Sequence, residues 1–374
     1  MENLGERAFV VIGGGLVGAA VAWGLSRCGA QPLVLDEDDL APRASRANNA
    51  LIWVQAKGAG HPGYALWTRE SAGQWPRFAA ELKADTGIDV GLRQPGGYSF
   101  YLTRSEMEED LQALESIDRQ TGGRSARYEV LTAQETRNRF PGLGHAVLGS
   151  VYGPEDGHVN VLRLFHALHA ALAARGCEYR AGRPVRTLEP VPGGFRIAGD
   201  WGEVRAARVV LAGGLGNERL APMVGLASPL KRSKGQILVT EKCAPFFPYA
   251  STLILQSEDG GVLIGASQEA RTDDLLTSQS INAVLARRAV LAFPRLGDLN
   301  VVRTWAGFRV KTLDGFPIYD QSEAAPGAFV VTCHSGVTLA AIHGLALAPR
   351  IMAGSLGPEL DPYSARRFRV PQDR

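Results

Sequence analysis

The sequence predicts an α/β protein in which a Rossmann-like dinucleotide-binding domain is interleaved with an α+β domain built on a mixed, largely antiparallel sheet. Three observations predict it. An apolar run, Phe9 to Ile12, leads into Gly13, Gly15 and Gly18 in GxGxxG spacing as a helix-like stretch opens. Gly96 to Leu102 alternates as a strand between two helical stretches, which a simple doubly wound pattern does not contain. From Ala328 the chain reads as strand, glycine turn and apolar helix, AFVVTCHSGVTLAAIHGLALAPRIMAG.

The glycine spacing has a physical reading. Gly13 makes the tight turn, Gly15 admits a pyrophosphate to the backbone, and Gly18 lets the helix pack closely on the strand. The helix N-terminus beyond, at Leu16 and Val17, offers free N–H groups and a partial positive charge. A second strand, Pro32 to Leu35, ends in Asp36, where a carboxylate accepts ribose hydroxyls. That charge repels a 2'-phosphate, so NADP is disfavoured and FAD or NAD remains.

Length and composition fit one large domain or two closely joined ones, since 374 residues at 45% hydrophobic content can bury a sizeable core. A formal charge of +2 gives no case for nucleic acid or an acidic membrane surface. Cys28, Cys177, Cys243 and Cys333 are scattered, without zinc or disulfide spacing, so reduced thiols and a cytoplasmic location are expected. No run has the apolar length of a membrane span.

Taken in order, Ala44 to Gly60 is too apolar for an ordinary surface loop, and its Ser45 and Asn48 either bond phosphate oxygens or cap a local turn. Tyr64 to Thr86 and Ser105 to Thr121 have helical periodicity, with Trp67, Trp75 and Phe78 read as core. In the helix from Asn160 to Arg175, His166 and His169 lie one turn apart; either they ligate a metal or one is buried and the other exposed. Several strands follow, the last at Val209 to Ala212, where Gly213 and Gly214 let the backbone approach a cofactor. Strands recur between Pro229 and Gly265, Leu275 to Phe293 is an amphipathic helix, and the last dozen residues read as a loose tail.

Six ordered motifs carry a family resemblance: GGGLVG with Asp36 and the SRAN segment, DGHVNVLRLFHAL at Asp156, VVLAGG at Val209, KGQIL at Lys234, WAGFRVKTLDGFPIYD at Trp305 and CHSGVTLA at Cys333. Together they resemble the FAD-dependent amino-acid oxidoreductases of the D-amino-acid oxidase and glycine oxidase superfamily. Within it, NNALIWVQAKG at Asn48 and CHSGVTLAAIHG look most like the flavoprotein subunits of opine oxidases, hydrogen cyanide synthase and D-hydroxyproline dehydrogenase. The resemblance implies partner subunits with further redox centres, an FMN or an iron–sulfur cluster. It labels residues 1–87, 146–228 and 307–374 as FAD-binding, and 88–145 and 229–306 as substrate-binding.

The resemblance also carries roles onto positions. Gly13, Gly15 and Gly18 hold the diphosphate, Asp36 the ribose, Ser45 and Asn48 the phosphate and ring approach, and Val185 meets adenine through its backbone. Gly213 and Gly307 join the cofactor set. Main-chain N–H groups of His334, Ser335, Gly336, Val337 and Thr338, at a helix start, face the flavin pyrimidine edge. Arg309 binds a substrate carboxylate, for which a guanidinium fork is suited, unless it forms a structural ion pair with Asp314 or Asp320. Gln55 and Lys57 reach the site, and His334 is the nearest titratable group.

Val310 replaces a common Pro, and Asn49-Ala50 replaces a glycine-rich form. No cysteine falls in TLDGFPIYD, so FAD is expected to be non-covalent. Leu263 stands where some relatives use a lysine to assist O2, which favours electron transfer to another centre. The expected function is oxidation of a small amino or imino acid at its C–N bond, within a heteromeric dehydrogenase. The alternatives are a self-contained peroxide-producing oxidase and a non-catalytic nucleotide-binding subunit.

Overall fold

The computed structural model describes residues 2–38, 44–45, 47–270 and 274–368. Its largest sheet has eight strands and draws on three separate parts of the chain. β1 (Glu2–Ile12) runs parallel to β2 (Leu33–Leu35) on one side and to Gly202–Leu211 on the other. Beyond β2 lies Glu178–Arg180; beyond Gly202–Leu211 lie Ala328–Thr332 and then the antiparallel Ile318–Gln321. The hairpin Thr187–Val191 and Gly194–Gly199 completes it. β2 and Glu178–Arg180 extend the sheet on one side of β1 and the later strands Gly202–Leu211 and Ala328–Thr332 on the other. The strand order therefore reverses at β1, and a crevice opens at the carboxyl ends of the central strands, where such sheets bind ligands.

The four central strands read as near-continuous apolar runs because both sheet faces are covered. On one face packs α1 (Leu16–Arg27), buried from Leu16 through Ser26 except at Val17. A Cβ on Gly24 would fall on the Gly344 carbonyl, so two glycines let α1 lie directly against the C-terminal helix. That helix opens at Ala340, continues through a π turn at His343–Leu347 and ends at Ala353. The wide turn precedes Pro349, which has no N–H to give an ordinary ladder.

The remaining sheets are mixed and mostly antiparallel. Leu230–Thr240 pairs antiparallel with Val301–Thr312, Val262–Gly265 and Glu269–Ala270, and Val262–Gly265 pairs with Ile254–Gln256. A four-stranded sheet contains Gly97–Tyr101, Gly149–Gly153, Glu129–Thr132 and the parallel Ala250–Ser251. Tyr98, Phe100, Phe140, Phe247 and Phe293 form its aromatic core. α2 (Pro62–Thr86) is capped by the His61 ring, which accepts from Tyr64 N–H, and stops at left-handed Gly87. Its Trp75 and Phe78 are fully buried.

One expectation fails. The last dozen residues are not all loose: Pro358–Tyr363 and Ala365–Phe368 form short 3-10 turns, with Tyr363 buried. Arg367 grips both oxygens of Asp314, at 2.7 and 3.1 Å. An isolated Tyr and a forked Arg hold this segment without any periodic pattern to announce them. Residues 369–374 of the expected tail lie outside the described residues. Among the described residues no helix is long and apolar enough to cross a membrane.

Candidate cofactor and substrate cavity

Gly13 sits at φ +110°, and a Cβ there would land on the Ala212 carbonyl oxygen. A Cβ on Gly18 would land on the Gly13 carbonyl oxygen, so these positions admit only glycine without backbone movement. The Gly14 N–H donates to Asp36 Oδ2 at 2.6 Å, fixing the turn to the end of β2. Gly15 caps α1 in extended conformation with no side chain of its own. Ser45 Oγ accepts instead from the Leu16 N–H at 2.9 Å. Asn48 commits both amide hydrogens to the carbonyls of Ala44 and Ser45 and takes the Ala50 N–H on its Oδ1. The side chain therefore shapes its own loop.

A cavity of about 690 Å³ starts at this turn, where Gly13, Gly15, Leu16, Val17, Asp36, Ser45 and Asn48 line it. Gly213, Gly307, the 334–338 segment, Arg309 and Lys57 line the same cavity. Gly213 N–H is held by Asn217 Oδ1 at 2.9 Å. A Cβ on Gly307 would stand 2.5 Å from the Ala47 Cβ, so that glycine lets Ala47 lie close against the strand. The segment His334 to Thr338 precedes its helix rather than opening it. Thr338 anchors it: its carbonyl accepts from Ser71 Oγ and Trp75 Nε1, and its hydroxyl accepts from Trp53 N–H. Gly336 lies beside Val17, 3.5 Å from where its Cβ would be, so the two ends of the chain meet on this wall.

Arg309 projects from Val301–Thr312. Its Nη1 donates to the Lys234 carbonyl at 3.0 Å and its Nη2 to the Ser267 carbonyl at 2.6 Å. The head lies flat over Gly235, where a Cβ would be 2.5 Å from Nη2 and 2.7 Å from Cζ. Asp314 belongs to Arg367 and Asp320 to the Ser364 hydroxyl, so neither expected ion pair forms. With two of five donors on carbonyls, the guanidinium keeps a fork for an anion. Burial lowers its pKa, and Glu269 opposes that shift.

Lys57 Nζ donates to Ser335 Oγ at 2.7 Å, and the Tyr64 hydroxyl reaches the same oxygen at 3.2 Å. Burial brings Lys57 down to about 8. His334 opens onto the cavity although protein rings it; desolvation and the neighbouring Lys57, Arg309 and Lys311 hold it at about 3. It is a neutral imidazole at neutral pH, suited to hydrogen bonding and not to taking up a proton. Buried Cys333 is pushed up to about 12 and stays a thiol.

Three expected residues lie outside the cavity wall. Gly18 is packed beneath Gly13. Gln55 is buried, its amide donating to Asp156 Oδ2 and the Gly97 carbonyl. Val185 is buried in the sheet core, its carbonyl accepting from Arg219 at 2.7 Å. His166 is exposed and His169 turns inward, and no group of three or more metal-ligating side chains occurs among the described residues. Gly235 and the carbonyls that orient Arg309 were missed; a glycine inside the KGQIL strand was the available signal of close approach.

The pattern of an FAD dependent oxidoreductase family, DAO, matches residues 8–350. The chain belongs to that family. This FAD-dependent oxidoreductase is 56% identical over 367 residues to an opine oxidase subunit of Agrobacterium tumefaciens (strain Ach5), covering 98% of this chain and 99% of the relative. The corresponding Rhizobium meliloti protein is 55% identical over the same coverage. The crystal structure of glycine oxidase from Geobacillus kaustophilus superposes with a TM-score of 0.89 at 26% identity, covering 98% of this chain and 100% of that one. The family read from the six motifs and the interleaved α/β architecture are thus both shown.

FAD fits the residues present. Gly13 and Gly18 leave no room for side chains, Gly15 opens the helix end, and one continuous cavity joins that end to a guanidinium without a carboxylate partner among the described residues. A helix N-terminus favours a diphosphate, and the cavity volume lies in the range of cofactor sites.

Proposed function

We propose that this flavoenzyme oxidises a small amino or imino acid at its C–N bond, giving an imine, as the catalytic subunit of a heteromeric dehydrogenase of opine oxidase type. The observation that carries it is Arg309, oriented by two carbonyls on the wall of the cavity that the glycine turn also lines. The two relatives named as subunits of opine oxidases support both an amine substrate and partner subunits, which would bring an FMN or iron–sulfur centre. Residues 1–87, 146–228 and 307–374 are assigned to FAD and 88–145 and 229–306 to the substrate side.

Held at the glycine turn and the 334–338 segment, FAD would supply the two-electron acceptor for the substrate's α-hydride, at flavin N5. Arg309 forks onto the substrate carboxylate and fixes the Cα–H direction. Lys57 and Lys311 add positive potential around the anion. The substrate nitrogen enters neutral, so its own lone pair assists hydride departure and no side-chain base is compulsory. The turn and the 334–338 backbone supply fixed dipoles. With no cysteine in TLDGFPIYD, FAD is held without a covalent link, and acid precipitation releases all flavin into solution.

The test is an anaerobic panel of D-hydroxyproline, D-proline, L-proline, glycine, sarcosine and octopine. At least one bleaches the flavin, and bleaching by none overturns the proposal. Similarity to glycine oxidase favours a second reading, a self-contained oxidase. Rapid stoichiometric peroxide from the isolated chain selects that reading; dye reduction with slow peroxide selects the dehydrogenase.

A further inference from the structure

The glycine turn is held from behind by a residue that the cavity itself does not use. His169, on the Val161–Ala174 helix, places Nε2 2.8 Å from the Gly14 carbonyl oxygen. A carbonyl only accepts, so Nε2 carries the hydrogen. We propose that His169 is a positioning residue for the cofactor: its Nε2–H locks the Gly14–Gly15 peptide so that the Gly15 N–H stays aimed at the FAD diphosphate. The inference rests on the FAD reading of the cavity.

Gly14 faces away from the cavity that Gly13 and Gly15 line. Its N–H is tied to Asp36 Oδ2 at 2.6 Å, and the Tyr179 ring covers its α-carbon, 2.6 Å from where a Cβ would stand. The His169 ring meets Tyr179 edge-on, with centroids 4.6 Å apart, and packs on Phe165 at 4.4 Å. A peptide between glycines rotates easily, because no Cβ restricts it. If the Gly14 peptide turned over, its carbonyl oxygen would face the diphosphate and repel it. Donation from His169 removes that alternative before the ligand arrives, which is preorganisation of an anion nest. The histidine pair one turn apart is thus explained without a metal: His166 faces solvent and His169 supports the turn.

The test measures FAD dissociation constants by flavin fluorescence on dilution of the holoenzyme, with melting of each protein alongside. His169→Phe keeps the ring packing and loses the donor; His169→Gln places an amide N–H where Nε2 was. Loss of one hydrogen bond predicts FAD binding weakened roughly tenfold in His169→Phe, with His169→Gln within about threefold of wild type. The assignment is overturned if His169→Phe binds FAD within twofold of wild type. It is equally overturned if both variants weaken alike, since ring packing would then be the cause. If His169→Phe does not fold, His169→Leu takes its place as the variant without a donor: a roughly tenfold loss of affinity supports the assignment and affinity within twofold of wild type contradicts it. A wild-type protein without affinity for FAD would instead remove the cofactor reading.

Discussion

At the scale of single residues, the Arg309 head depends on what lies beneath it. A Cβ on Gly235 would stand 2.5 to 2.7 Å from the guanidinium atoms, and the side chain is the part free to yield. Gly235→Ala is therefore expected to raise KM for a carboxylate substrate by about tenfold or more, a cost of ~1.4 kcal/mol or above. Steady-state kinetics at unchanged flavin content check this, and an unaltered KM refutes it. Lys57 gives a pH signature. Its folded value of about 8 lies below the ordinary 10.5, so the unfolded chain holds more protons between those values. The penalty of burying its charge is full below pH 8 and is relieved as pH rises toward 10.5. Carboxylate affinity should fall as pH passes through about 8, and Lys57→Met should abolish that step in a binding titration. That Arg309 lines the cavity was legible because its motif is local in sequence. Gly235 lies 74 positions earlier, and only the register between Leu230–Thr240 and Val301–Thr312 brings the two together. Asn48 shows the same limit: its loop carbonyls already occupy both amide hydrogens, and residue type alone does not reveal that.

Elements were legible where their signals repeat. Alternation marked Gly97–Tyr101, and 3.6-residue periodicity marked α2 and the Val161–Ala174 helix. The turn at Gly13 was readable because strand, glycines, helix and acid follow one another within about thirty residues. The late start of the C-terminal helix at Ala340 was not, because Thr338 is held by Trp53, Ser71 and Trp75, which lie far earlier in the chain. The contact between α1 and that helix has its own test. Gly24→Val drives methyl groups into the Gly344 carbonyl and the Ala348 side chain. Overpacking of this kind costs about 1–3 kcal/mol, to be read as a lower urea midpoint, and a midpoint equal to wild type would contradict the close approach.

Across the whole molecule, three separated stretches of chain form one sheet, and that sheet holds the crevice at its centre. The N-terminal turn supplies one end of the cavity, the segment before the C-terminal helix supplies a wall beside it, and the antiparallel sheet supplies Arg309. With Gly336 against Val17, the cavity wall draws on both ends of the chain. The central claim is that the carboxylate anchor and the flavin share this cavity. Its most direct measurement titrates oxidised holoenzyme with acetate, a carboxylate without an oxidisable amine, and follows flavin absorbance. A saturable spectral change is expected in wild type, weakened about thirtyfold or more in Arg309→Ala as ~2–5 kcal/mol of anion recognition is lost. An identical titration in the variant, at equal flavin content, would place the anion site elsewhere and contradict the account.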